Sequence, residues 1–247
     1  MSFSVVTKTD EAFRLSLPQS ASLAAPSSEG AVRPRNDHFH KQLQDSKMDM
    51  KGDFMMFLET ERLILRKFLE SDFGDFCVYA MDEDMCRMMG RDPMPDTGTA
   101  RLNFNWLMDK EDRGYALVYK ETGRAIGDLT VGAVPADLSC LPELEGKQGL
   151  SLSFSISRQY QRRGLMQEAV TAVITRLFRE EGMDYIHCGH FDFNLPSRQL
   201  QKKLGFTLLR SEVIDFKGEQ ILTVENVLWK DAWAEPAGKT ASEARSY

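Results

Sequence analysis

The amino-acid sequence predicts a mixed α/β fold in a single domain, and three observations carry that prediction. The segment from Leu150 to Ser157 alternates strictly, with Leu150, Leu152, Phe154 and Ile156 on one side and serines on the other. From Gly164 onward, Leu165, Met166, Ala169, Val170, Val173, Ile174 and Leu177 fall on one stripe of a long helix. Around these two segments, shorter strand-like and helix-like stretches follow one another in the order β-α-α-β-β-β-α-β-α-β-β.

Taken in order, ERLILRKF from Glu61 to Phe68 is the first strand, with Leu63 and Leu65 on one face. Ser71 and Asp72 signal the start of a helix through Cys77, Val78 and Met81. A second helix spans Thr99 to Met108 and carries Leu102, Trp106 and Leu107. YALVYK and AIGDLTVGAV are strands joined by a hairpin turn at Glu121–Arg124. A loop holding Pro135 and Pro142 runs to Gly149, ahead of the alternating strand and the long helix. A short strand at 184–190, a helix from Ser197 to Lys203 stopped by Gly205, and strands near Phe206–Ile214 and Gln220–Leu228 complete the pattern.

The chain has 247 residues, 42% hydrophobic, enough for a sizeable core, and no stretch reaches the roughly 20 apolar residues that span a bilayer. The formal charge of -6 argues against nucleic acid or an anionic membrane as the main partner. Residues 1–50 contain a Ser-, Ala- and Pro-rich stretch without sustained periodicity and read as a flexible, disordered arm; a translation start at Met48, Met50, Met55 or Met56 is the alternative. The polar segment 235–247 reads as a flexible tail, which leaves 55–234 as the folded domain. Asp10 and Glu11 stand where a signal peptide needs apolar residues, and Cys77, Cys86, Cys140 and Cys188 form no C-x-x-C pair. A cytoplasmic location follows from these two features.

Chemistry concentrates in SFSISRQYQRRGLMQEAV, at 153–170. A strand, a turn and a helix start there aim backbone N–H groups at one point, Gly164 permits close approach, and Arg162 and Arg163 add positive charge. That combination suits a phosphate or pyrophosphate, although such a turn also serves purely structural ends. Neither a G-x-x-x-x-G-K-[ST] loop nor a G-x-G-x-x-G opening is present.

Gln161-Arg162-Arg163-Gly164-Leu165-Met166 resembles the pyrophosphate signature Q/R-x-x-G-x-G/A of the GNAT N-acetyltransferase superfamily, and Glu168-Ala169 resembles the E-A that follows it. Asn194-Leu195-Pro196-Ser197 and Lys203-Leu204-Gly205-Phe206 resemble the second signature, N-x-x-S/A followed by K-L-G-F. The opening LETERLILRKF is similar to the first strand of the RimJ/RimL-like branch, and the resemblance spans about residues 57 to 232. It implies a mixed, mostly antiparallel sheet of about seven strands, flanked by about four helices and splayed by a bulge at the cofactor site. It also implies transfer of acetyl from acetyl-CoA to a primary amine, on a protein N-terminus or a small molecule, by direct attack in a ternary complex. No metal is implied, and the protein is expected to be a monomer or homodimer.

The same resemblance assigns the backbone of Phe154, Ser155 and Ile156 to the pantetheine arm and the amides of Gln161, Arg162, Arg163, Gly164, Leu165 and Met166 to the pyrophosphate. Asn194 and Ser197 are assigned to the arm or the sulfur, and the Ile156 N–H to the thioester oxygen. Three positions depart from the pattern. Met166 replaces Gly or Ala on the turn; Gln201 falls near the tyrosine that protonates the leaving thiolate; Ser151 stands where many RimJ/RimL-like relatives have glutamate. Ser197 and His190 are the remaining catalytic candidates, with Asp128 and Asp192 as further carboxylates. Strand alternation sends His187 to the opposite face from Cys188 and His190, which argues against a metal site. Four methionines, Met85, Met88, Met89 and Met94, pack the core or form an adaptable wall. An α-amine with pKa near 8 has about 300 times the neutral fraction of lysine at pH 7, so it needs a base least. The departures at Gln201 and Ser151 keep open a second reading, a catalytically impaired acyl-CoA-binding module acting as sensor or scaffold.

Overall fold

The computed structural model describes residues 57–109 and 114–234. The expected arm at 1–50 and tail at 235–247 lie outside the described residues, as do positions 55 and 56 of the expected domain. Eight strands form one sheet: β1 (Leu58–Glu59), β2 (Leu63–Arg66), β3 (Gly114–Tyr119), β4 (Arg124–Ala133), β5 (Gly149–Ile156), β6 (Tyr185–Phe191), β7 (Thr207–Phe216) and β8 (Glu219–Trp229). The helices are α1 (Phe73–Ala80), α2 (Glu83–Met88), α3 (Thr97–Asp109), the single turn α4 (Ala136–Ser139), α5 (Leu165–Arg179) and α6 (Leu195–Leu204).

The strand order is β1-β2-β3-β4-β5-β6-β8-β7, antiparallel except for the parallel β5–β6 pair. A parallel pair needs a crossover, and α5 supplies it. The mostly antiparallel α/β sheet is as expected, with one strand and two short helices more than the sequence pattern suggested. The extra strand arises because Thr60–Arg62 turns the chain back, so Leu58 and Glu59 pair with Leu65 and Ile64. The extra helices are α2, capped by Asp82 accepting from Met85 N–H at 3.0 Å, and α4 inside the proline loop.

The predicted stripe of α5 is buried throughout, from Leu165 (1% exposed) to Leu177 (2%), against Leu65, Leu117, Leu129, Leu152, Ile186 and Leu228 of the sheet. Elsewhere Phe68, Phe76 and Phe104 meet edge to face or tilted, tying α1 and α3 to the end of β2. Asp72 does not cap α1 as its position suggests. Its carboxylate takes both Arg66 guanidinium nitrogens, at 2.6 and 3.0 Å, and the Leu69 N–H at 2.8 Å. A buried charge pair of this kind is tolerated only with such complete pairing.

Candidate functional site

Strands β5 and β6 share three register positions, Gly149↔Tyr185, Leu150↔Ile186 and Ser151↔His187, and then part. The β4–β5 ladder continues unbroken to Gly127↔Ile156, so β5 itself carries no bulge. The expected bulge lies one strand over, where the β3–β4 register shifts between Leu117 and Val118. The splay therefore comes from β6 leaving β5. The Ser157 N–H bonds to the Ile126 carbonyl at 2.8 Å, which sets the ladder phase. Ser153 and Ser155 aim their backbone groups at β4, whereas Phe154 and Ile156 aim theirs into the gap. Gln161 Nε2 donates to the Ile156 carbonyl at 3.1 Å, and the Ile156 N–H faces the gap.

The gap opens into a cleft of about 980 Å³. It is lined by Phe154, Ser155, Ile156, Gln161, Arg162, Gly164, Leu165, Met166, His190, Asn194 and Ser197, which is every residue the resemblance assigns to the coenzyme except Arg163, together with the catalytic candidate His190. Arg163 turns away, its guanidinium 5.4 Å from the Tyr160 ring centre and its carbonyl accepting from Arg62 Nη1 at 2.9 Å.

One end of the cleft is the turn before α5. Arg162 (φ 60°) and Gly164 (φ 76°) both adopt left-handed backbone, which makes a concave array of N–H groups. The first amide to bond back within α5 is Glu168, to Gly164 O at 3.1 Å. The amides of Leu165, Met166 and Gln167 thus have no partner inside the helix, and the helix dipole adds positive potential. Met166, the departure on this turn, is 9% exposed and packs with the α5 core. The turn is pinned by Glu168, which accepts from Thr60 Oγ1 at 2.6 Å and from Arg62 N–H and Nε at 2.7 Å each. Burial opposes the charge of Glu168, but these hydrogen bonds outweigh it and hold the carboxyl below its ordinary range.

At the other end, Asn194 caps α6 by accepting from Ser197 N–H at 3.2 Å and donates from Nδ2 to the Met88 carbonyl at 3.0 Å. Gln201, 1% exposed, donates from Nε2 to Ser197 Oγ at 3.0 Å and accepts from Asn226 Nδ2 at 2.8 Å. The Ser197 hydroxyl accepts this bond on one of its two lone pairs and keeps its hydrogen to donate. His190 Nδ1 lies 2.9 Å from the Phe191 carbonyl, which only accepts, so Nδ1 is the donor of this bond.

Met85, Met88 and Met89 wall the cleft, whereas Met94 (5% exposed) packs the core. Arg158 bonds to Asp82 at 3.0 Å and Asp84 at 2.6 Å, drawing the start of α2 toward the end of β5. The Cys188 thiol, also in the cleft, is pushed up to about 12, first by burial and then by the Glu225 charge. Asp128 does not line the cleft; it is 6% exposed, accepts from Ser155 Oγ at 2.6 Å, and burial raises its pKa. Asp192 lies outside the cleft lining and 3.8 Å from Arg198.

One group in the cleft was not singled out from the sequence. Glu225 of β8 lines it and accepts at 2.8 Å from His187 Nε2, whose Nδ1 lies 2.9 Å from Ser151 Oγ. Its sequence context, TVENVLW, reads only as a strand, and the register that brings it to Gly189 is a tertiary fact. Among the described residues, no three His, Cys, Asp or Glu side chains converge to hold a metal ion, and no helix is long and apolar enough to cross a membrane.

Residues 62–207 match the family model described as an acetyltransferase (GNAT) domain. A curated relative from Bacillus licheniformis, the uncharacterised N-acetyltransferase p20, is 27% identical over 156 residues, covering 62% of this chain and 83% of the relative. Among solved structures, a GNAT-family acetyltransferase from Bacillus anthracis superposes with a TM-score of 0.62 at 17% identity, over 71% of this chain and 99% of that one. Spermidine N-acetyltransferase from Vibrio cholerae, solved with CoA and spermine, superposes with a TM-score of 0.56 at 13% identity, over 69% and 97%.

Proposed function

Since the chain belongs to the GNAT acetyltransferase family, we propose that it transfers acetyl from acetyl-CoA to a primary amine by direct attack in a ternary complex. The observation that carries this reading is the conjunction of the splay after Ser151↔His187 with the N–H cradle at Arg162–Met166, both opening into one cleft. Pantetheine takes the backbone groups that Phe154 and Ile156 turn into the gap, as an added strand. The pyrophosphate takes the amides from Arg162 to Met166. The Ile156 N–H faces the thioester oxygen and stabilises the charge that develops on attack.

The amine nitrogen attacks the thioester carbon, the carbonyl electrons move to oxygen, and collapse breaks the C–S bond. The Ser197 hydroxyl, oriented by Gln201, is placed to donate a hydrogen bond to the departing thiolate, which takes its proton from water. Gln201 thus replaces a tyrosine acid as a positioning residue. When neutral, His190 offers the lone pair of Nε2 to the cleft as a proton acceptor. A route through an acetylated cysteine is disfavoured, because the cleft thiol of Cys188 stays protonated at neutral pH. The low demand of an α-amine for a base supports a protein N-terminus or a small-molecule α-amine as acceptor. The opening strand LETERLILRKF supports the RimJ/RimL-like branch, and the free cysteines support a cytoplasmic location. One acetyltransferase domain over 55–234, as monomer or homodimer, completes the proposal.

The test is calorimetric titration of acetyl-CoA into the full chain with ATP as control, followed by turnover with peptides bearing free N-termini. Micromolar, acetyl-CoA-selective binding with turnover is the expected result. Binding without turnover would leave a coenzyme-binding module, and no binding by folded protein would refute the transferase reading.

A further inference from the structure

Direct attack leaves a proton to be removed from the amine nitrogen, and the position where many relatives carry a carboxylate is Ser151. The structure closes that gap from another strand. Ser151 Oγ and His187 Nδ1 are 2.9 Å apart, and His187 Nε2 and Glu225 Oε2 are 2.8 Å apart. A carboxylate only accepts, so Nε2 carries the imidazole hydrogen and Nδ1 accepts from the serine hydroxyl. The His187 side chain is 4% exposed and has both nitrogens committed, which fixes its ring. Glu225 is 19% exposed at its side chain, and no hydrogen bond engages Oε1 among the described residues.

The register explains why the carboxylate reaches the cleft. Gly189 of β6 is the Cα partner of Glu225, and a Cβ there would stand 2.3 Å from Oε2. The carboxylate occupies the space that a side chain at 189 would fill, just beyond the last rung shared by β5 and β6. Other charges facing it are few. Arg210, its partner on β7, is bonded to Asp137 and, at 3.1 Å, to Glu212, while Cys188 on β6 stays a neutral thiol.

We propose that Glu225 is the general base of the reaction, taking the acceptor's proton on Oε1, with His187 and Ser151 as positioning residues that hold Oε2. The acceptor accordingly enters on the sheet face that carries Ser151, His187 and Glu225. Attack forms the C–N bond and leaves a positive nitrogen; Glu225 takes one proton from it, the C–S bond breaks, and the thiolate is protonated in turn. Glu225 then returns its proton to water and the thiolate takes one from water, so the cycle balances without a further reactant. The inference rests on the acetyltransferase reading and adds the identity of its base.

The experiment compares wild type, Glu225→Gln, Gly189→Ala and His190→Gln in the full chain, with a tetrapeptide bearing a free N-terminal alanine and benzylamine as probe amines. Glu225→Gln is expected to bind acetyl-CoA like wild type and to lose about 10²-fold or more in kcat. Gly189→Ala, which displaces the carboxylate, is expected to fall in kcat as well without weakening acetyl-CoA. If Glu225→Gln keeps wild-type kcat, or if His190→Gln alone produces the loss, the inference is overturned and the transferase reading stands. A wild type that acetylates neither amine overturns both.

Discussion

Glu168 ties the coenzyme turn to the first hairpin, and Glu168→Gln measures how much that tie is worth. The carboxylate is 8% exposed and accepts three hydrogen bonds, two of them from Arg62 and one from Thr60. A glutamine in the same place can still accept at Oε1, but it turns an NH₂ toward Arg62 Nε, donor against donor. Hydrogen bonds to charged groups contribute about 1.5–3 kcal/mol each. Arg62 is 36% exposed, so water screens its share, and about 2 kcal/mol is the expected total. For a domain of this size that is a fall in Tm of about 4–8 °C, read by thermal denaturation at pH 7. The carboxyl is held below its ordinary value, so its contribution is full above the unfolded pKa and is lost as pH falls through the folded one. The gap between wild type and variant should therefore be present at neutral pH and close in acid. A Tm unchanged at pH 7, or a gap that persists undiminished below the folded pKa, would refute the ionic account of this tie.

Gly164→Glu should abolish acetyl-CoA binding in a calorimetric titration, because it forces a charged side chain onto a φ of 76° beside the N–H cradle; unchanged affinity would put the phosphate elsewhere. Cys188→Ala should retain kcat within about threefold and keep a sequential initial-velocity pattern, since a buried thiol near 12 is no nucleophile; loss of turnover would restore a covalent route. Gln201→Leu removes the partner of both Ser197 and Asn226 and should cost about 1–3 kcal/mol of stability in urea denaturation. The same variant should lower kcat more than the KM for acetyl-CoA, and an unchanged kcat would separate Gln201 from Ser197's role.

The chain's local signals were strong wherever one period or one motif decided the outcome. The stripe from Leu165 to Leu177 marks a buried helix face because a 3.6-residue repeat has no other use in a strand-rich neighbourhood. The strand–turn–helix around Gly164 was legible for a similar reason: a glycine between two arginines and an amphipathic helix leaves few conformations open. Short elements were not legible. Leu58–Glu59 is too brief to show a period, and the six residues of α2 fall outside both helices the sequence predicts in this region. Asp72 carried a capping signal that the fold spent on Arg66, because a buried guanidinium outcompetes a helix N–H for a carboxylate.

By itself, then, the sequence determined the α/β class, the crossover helix, the strand–turn–helix at Gly164 and the family these features resemble. Each depends on residues close together along the chain. Only the tertiary structure decided which strand parts from which, that Asn194 reaches the Met88 carbonyl, that Gln201 meets Asn226, and that Glu225 stands over Gly189. Those facts join residues separated by up to 106 positions, and they follow from register and packing rather than from any pattern along the chain. The amides of the proposed cradle lie on one local motif, whereas Ser151, His187, Glu225 and Ser197 come from three separate strands and a helix, so the first group is readable and the second is not.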